Sequence, residues 1–350
     1  MSTIPGYIKY FTILSSLLLT FFVLIWAQAI LSPVFAAFIA ALLLRPLSNL
    51  LERARLSRGF SSILSIIIVV MVISGLFIFF SVEINQIVKD LDEIRTRLGE
   101  IINQIFNWIN QTFGLEEQDQ VRYLREGINT FLENSTAAIT QALSATADFF
   151  AAFFLFLIAL FFILYYRRFF VEFVYKWFSK EKHGAVQSTI HKVEQVVRSY
   201  ILGLLIVIII IAILNTVGLM ILGIEHAIFF GVLAAVLTVI PYIGIFIGSL
   251  LPILFAFFTK DSLWYPLGVT ALFWFVQFAE GNFITPNIIG GRVSINPFAA
   301  IIALFLGGMI WGIMGMILSI PFLAIIKVIS DAVKPWQPLG FLLGNPPDEK

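Results

Sequence analysis

Seven uncharged apolar blocks, 17 to 34 residues long, limit how this chain can fold. They cover residues 11–44, 63–80, 149–166, 201–222, 227–258, 263–279 and 298–326. A helix of about 20 such residues crosses the hydrocarbon core of a bilayer, and inside lipid only helices and closed barrels satisfy their own backbone. Ser32-Pro33 interrupts the first block, which reads as a helical hairpin followed by a third span. The expectation is an all-α, polytopic membrane protein with about eight membrane segments. Composition agrees: 60% of residues are hydrophobic, mean hydropathy is +0.98, and the 12% that are charged are roughly half the usual soluble share.

Several function classes lose their parts at once. Net charge is +1 and no basic stripe with interleaved aromatics occurs, so nucleic acid is not an expected partner. With no cysteine there is no disulfide, thiolate ligand or cysteine nucleophile. No phosphate-cradling Gly-x-x-x-x-Gly-Lys and no His-Glu-x-x-His occurs, and His183, His191 and His226 lack ligand spacing. Neither an enzyme nor a cofactor or metal is expected.

Ala27-Gln28-Ala29 imitates a signal-peptidase site, but only Lys9 precedes it and a second apolar span follows directly. That pattern reads as an uncleaved signal anchor. Arg45, Arg53, Arg55 and Arg58 crowd the link after the second span, and Arg167, Arg168, Lys176, Lys180 and Lys182 follow the fourth. Both links are therefore expected in the cytoplasm, together with both termini, in a bacterial inner membrane.

Five regions result: an N-terminal span region 1–82, an outward arm 83–148, the fourth span with its cytoplasmic link 149–200, a region of broken segments 201–334, and a polar tail 335–350. In the arm, Ile84, Ile87, Leu91, Ile94, Leu98, Ile101, Ile105 and Trp108 step by threes and fours, the seam of a coiled-coil helix. Val121, Leu124, Ile128, Phe131, Ser135, Ala138, Ala142 and Ala145 repeat it, which fits an antiparallel hairpin, self-packed or joining subunits. The link 167–199 is amphipathic through Ile190, Val193, Val196 and Val197 and is expected to lie at the membrane surface or to gate a cavity.

Two blocks are too long and too interrupted for one straight span. Pro241-Tyr242-x-Gly244-x-x-x-Gly248 lies mid-way through 227–258, while Gly307, Gly308, Gly312 and Gly315 precede Pro321 in 298–326. Proline removes a backbone donor and glycine weakens helix, so each is either a re-entrant hairpin or a long broken span. Paired interrupted segments point to a transporter's binding site, with close helix contacts and a proline kink as the structural alternative.

Between the blocks lies the polar run 279–297. Glu280 is the sole carboxylate from 262 to 330, and Arg292 is the cation nearest to it in sequence. Glu280 is then either ionised and paired with Arg292, or neutral and able to exchange a proton. Asn282, Thr285, Asn287 and Asn296 supply neutral donors and acceptors suited to a hydroxylated solute, Pro286 interrupts the run, and Gln277 shares the face of Glu280 one turn earlier. The solute or ion path is therefore placed at Gln277, Glu280, Asn282, Thr285, Pro286, Asn287, Arg292 and Asn296, with Pro241, Tyr242, Gly244 and Gly248 beside it. A passive channel is the closest rival reading, and a membrane-anchored scaffold would leave this polar run unexplained.

These motifs, with Arg45-Pro46-Leu47, Leu51-Glu52-Arg53 and the closing Ser319-Ile320-Pro321, resemble the autoinducer-2 exporter family of permeases over essentially the whole chain. The resemblance implies a bacterial homo-oligomeric transporter that exports a small polar solute such as autoinducer-2. Sodium or lithium/proton antiport is the alternative within the same family, so the expected partners are lipid, the solute, and protons or sodium ions. Family members often carry a lysine and a histidine where this chain has Asn287 and Asn296, which leaves no titrating histidine at the site.

Overall fold

The computed structural model describes residues 5–113, 146–241, 243–290 and 294–346, and every regular element among them is helical. Helices α1 (Gly6–Trp26) and α2 (Gln28–Arg53) meet at the single residue Ala27, upstream of the break expected at Ser32-Pro33. Helical bonding persists through that break, since Ala27 N–H bonds Val23 O and Ala27 O accepts from Ile30 and Leu31. Pro33 lies inside α2, with its ring buried. One lost backbone bond is tolerated where the ring packs inward.

Helix α3 (Arg58–Phe113) is unbroken for 56 residues, about 84 Å at 1.5 Å per residue. It outruns the ~30 Å hydrocarbon core, so the first seam of the arm continues the third span in line. The second seam and the pairing of the two lie outside the described residues. Helix α4 (Thr146–Tyr165) then bends by 66° at Tyr166 into α5 (Arg167–Lys176).

Helix α6 (His183–Ile221) joins the amphipathic link and the next span in one rod of 39 residues. Of the amphipathic link 167–199, residues 183–199 thus extend the next span, while 167–176 form the separate, bent helix α5. Val197 is fully buried, packed in a cluster with Ile39 and Leu318, which sets the apolar face of the link against α2 and α10.

The block 227–258 folds back on itself. Helix α7 (Ala227–Leu237) and helix α8 (Ile243–Thr259) are short legs whose outer ends meet, with Lys260 Nζ 3.1 Å from Glu225 Oε1. Phe230 packs on Phe255, and a Cβ on Gly244 would overlap Leu237 O, so the legs touch through their backbones near the tip. Helix α9 (Trp264–Ala279) follows.

Helix α10 (Pro297–Ala332) repeats the plan as two helical legs joined across a kink. Trp311 and Gly312 leave helical geometry, and Gly312 takes φ 58°, a conformation that glycine adopts without penalty. The legs 297–310 and 313–332 fold together: Ser319 Oγ donates to Ala303 O at 2.8 Å, and Gly307 and Gly315 leave no room for a Cβ between them. The mouth is closed by helix α11 (Gln337–Leu343), because Asn296 bonds to three consecutive carbonyls of Leu342, Leu343 and Gly344. Both long blocks are thus fold-back hairpins. By length and composition alone, six helices among the described residues could cross a membrane, and the bent α4–α5 pair would make a seventh.

The bundle is joined by apolar clusters between α2 and α4 (Ala37, Ala41, Leu44, Leu160, Leu164) and among α6 to α9 (Leu219, Phe229, Phe230, Phe255, Val269). Ser48, Ser61, Ser62 and Ser65 are fully buried on α2 and α3. Small residues let membrane helices approach where the hydrophobic effect gives them no drive to associate. At one end Arg45 pairs with Glu194, while Arg167 bonds Glu52 Oε1 at 2.6 Å and Ser48 Oγ at 3.0 Å. The two basic links read from sequence therefore meet at the same end of the bundle.

Candidate functional site

Helix α9 runs antiparallel to α6. Gly268 faces Leu222, Leu272 faces Gly218, Val276 packs with Val207 and Ile211, and Ile289 reaches Gly203. Because the N-terminal third of α6 carries Glu194, the partner of Arg45, α9 carries the polar run toward that basic end.

There α9 widens into two π-helical turns, Glu280–Ile284 and Pro286–Gly290. Pro286 has no N–H to give, and Thr285 N–H bonds Glu280 O five residues back instead of the α-helical four. Such π turns are rare and occur frequently at functional sites.

The wider register brings three predicted side chains together. Gln277 Nε2 donates to Glu280 Oε2 at 2.5 Å and Thr285 Oγ1 donates to Glu280 Oε1 at 2.6 Å, so each carboxylate oxygen has one neutral donor. The group is half-buried. Donors to a charged acceptor give the stronger class of hydrogen bond and orient the carboxylate while leaving it lone pairs for a solute or cation.

The remaining predicted residues take other positions. Asn282 and Asn287 turn back onto their own helix, donating to Phe278 O at 2.9 Å and Phe283 O at 2.7 Å. Asn296 caps α10 by accepting from Ala299 N at 2.8 Å, with its amide committed to the C-terminal carbonyls. Pro241, Gly244 and Gly248 form the fold-back of α7 and α8, where Gly248 abuts Ala234. Ala235, next along α7, packs in one cluster with Val276, one turn before Glu280, so the hairpin tip and the carboxylate extend from a common packing layer. Tyr242 and Arg292 lie outside the described residues.

One buried amide escapes the block-by-block reading. Asn215 sits in the apolar C-terminal half of α6 at 2% exposure. A lone Asn in an apolar span is the signal that would have found it. Among the described residues no group of three His, Asp or Glu side chains is placed to hold a metal ion.

Comparison with known proteins agrees in its extent. The Bacillus subtilis protein YueF is 24% identical over 321 residues, covering 87% of this chain and 84% of its own. The Escherichia coli AI-2 transport protein TqsA is 24% identical over 325 residues, 91% of either chain. Bacillus subtilis YrrI is 35% identical over a shorter stretch of 130 residues, 37% of this chain and 36% of its own. The family model described as AI-2E family transporter matches residues 14–334, all the helices from the middle of α1 to the end of α10, and the chain belongs to that family of membrane transport proteins.

Proposed function

We propose that this protein is a secondary permease that exports a small, polar, hydroxyl-bearing solute of the autoinducer-2 type, with Glu280 as the coupling group. The observation that carries the reading is the Glu280 carboxylate, held by Gln277 and Thr285 on a π-helical stretch beside a fold-back hairpin. An ionisable side chain at membrane depth is costly and marks a solute or proton route. Interrupted segments in a transporter expose backbone and side-chain groups to a solute where lipid cannot reach them. The name of TqsA supports the choice of solute class.

The bilayer and further copies of this chain are the proposed partners. Helix α1, in which no residue of described burial is buried, supplies apolar surface for both. By the positive-inside rule the end carrying Arg45, Arg167 and Lys327 faces the cytoplasm of a bacterial inner membrane.

The test is autoinducer-2 flux in proteoliposomes with and without an imposed proton or sodium gradient. Glu280→Gln keeps shape and hydrogen-bonding capacity but removes the charge. It should insert and fold normally yet lose the gradient-driven part of the flux. Flux at the parental rate with unaltered pH dependence defeats the role of Glu280, and wild-type flux indifferent to any gradient would make the protein a channel.

A further inference from the structure

Between Ile201 and Ile221, α6 has only two side chains that carry nitrogen or oxygen, the adjacent Asn215 and Thr216. Asn215 belongs to the inner stripe Gly203, Val207, Ile211, Leu219, spaced by fours, and is 2% exposed. Its Oδ1 has no hydrogen-bond partner among the described residues. An orphan amide oxygen in an apolar interior is a standing cost that leucine would not carry. Packing gives no reason to keep it. On one side Leu219 joins the phenylalanine cluster of α7 and α8, and on the other Ile211 packs with Ala235 and Val276.

Two elements pack against this stripe, α9 through Val276 and the first leg of the fold-back hairpin through Ala235. Thr216 lies so close to Gly231 that a Cβ there would overlap it, and Ala235 packs beside Ile211. The α7–α8 hairpin is two short legs with both ends on one side of the bundle, so it can leave α6 without unthreading a span. Along the same stripe, Gly203 meets Ile289 of the second π turn, about 18 Å away at 1.5 Å per residue. One wall of α6 therefore runs from the Glu280 segment to a buried, unpartnered acceptor beneath a hairpin.

We infer that Asn215 is a second polar station on the transport route, shut in this conformation, whose Oδ1 accepts a hydrogen bond from an O–H of the passing solute or of its water once the α7–α8 hairpin moves aside. This rests on the permease reading above. The hydrogen bond at the station replaces part of the hydration that a hydroxylated molecule loses at that depth.

The native chain has no cysteine, so a single Asn215→Cys gives a direct readout with 2-aminoethyl methanethiosulfonate on proteoliposomes, followed by mass spectrometry. Asn215→Cys should be modified, while Leu160→Cys, fully buried between α2 and α4, should stay at least tenfold slower. Slowing of the modification by autoinducer-2 assigns the O–H to the solute; modification without slowing assigns it to water. Modification as slow as at Leu160→Cys overturns the proposal. Independently, Asn215→Leu should melt at the same or a higher temperature than the parent and lose at least tenfold in autoinducer-2 flux. Parental flux, or a lower melting temperature that reveals a structural role, counts against the station. Absence of any wild-type autoinducer-2 flux defeats the permease reading instead, and labelling at position 215 still decides whether the stripe opens.

Discussion

Thr285 donates to the carboxylate of Glu280 at 2.6 Å from five residues further along the chain. In an α-helix a residue five positions on lies well round toward another face, whereas a π turn brings the two nearly into line. The same register bonds Thr285 N–H to Glu280 O, so backbone and side chain of Thr285 both act on Glu280.

Thr285→Val removes the hydroxyl with little change in shape and leaves Glu280 Oε1 without that donor. Because the lost bond goes to a charged acceptor, the cost should be about 1.5–3 kcal/mol. Thermal unfolding in detergent should show it, and Thr285→Ser should restore most of the loss. Equal stability of the Val and Ser variants would mean that the hydroxyl does not hold the carboxylate.

At the α10 hairpin the glycines are unequal. A Cβ at Gly315 would overlap the backbone of Gly307, whereas one at Gly308 meets the Met316 side chain, whose Cγ lies at 3.2 Å. Gly315→Ala should force the legs apart and lower stability by about 1–3 kcal/mol or more, as overpacking does, while Gly308→Ala should be nearly neutral. The order of melting temperatures checks this, and the reverse order would show that the legs are not in backbone contact.

Asn296 performs two tasks, capping α10 and bonding the carbonyls of Leu342 and Gly344. Asn296→Ala should cost about 1–2 kcal/mol for the cap alone. It should also release α11, which faster hydrogen exchange over residues 337–343 would report. Asn296→Asp keeps the capping acceptor but not the donors, so it should free α11 while sparing much of the helix stability. Unchanged exchange in both variants would argue that α11 docks without Asn296.

The fold-back of 227–258 makes a topological prediction. Single cysteines at Glu225 and Leu263, which flank the hairpin, should react with an impermeant reagent from one side of the membrane, and a cysteine at Arg292 from the other. Opposite labelling of Glu225→Cys and Leu263→Cys would turn the hairpin into a crossing.

Hydropathy and charge determined by themselves that the chain is helical, membrane-embedded and divided into these blocks. Each of those properties depends on residues close together in sequence. The polar run around Glu280 was legible for the same reason, since a carboxylate amid uncharged residues stands out without any partner in view. Where the first block breaks was not, because Pro33 is accommodated by the packing of α2 around its ring, and the break fell at Ala27. Nor could sequence choose between broken spans and hairpins, a choice made by contacts such as Ser319 to Ala303 and Glu225 to Lys260, across 16 and 35 residues. The candidate site divides along the same line. Gln277 and Thr285 converge on Glu280 through local helical register, whereas the roles of Asn296 as a cap for α10 and of Asn215 as an orphan beneath α7 arise only when distant helices dock. Local pattern determines which residues can enter a membrane; tertiary packing decides which of their polar atoms find partners there.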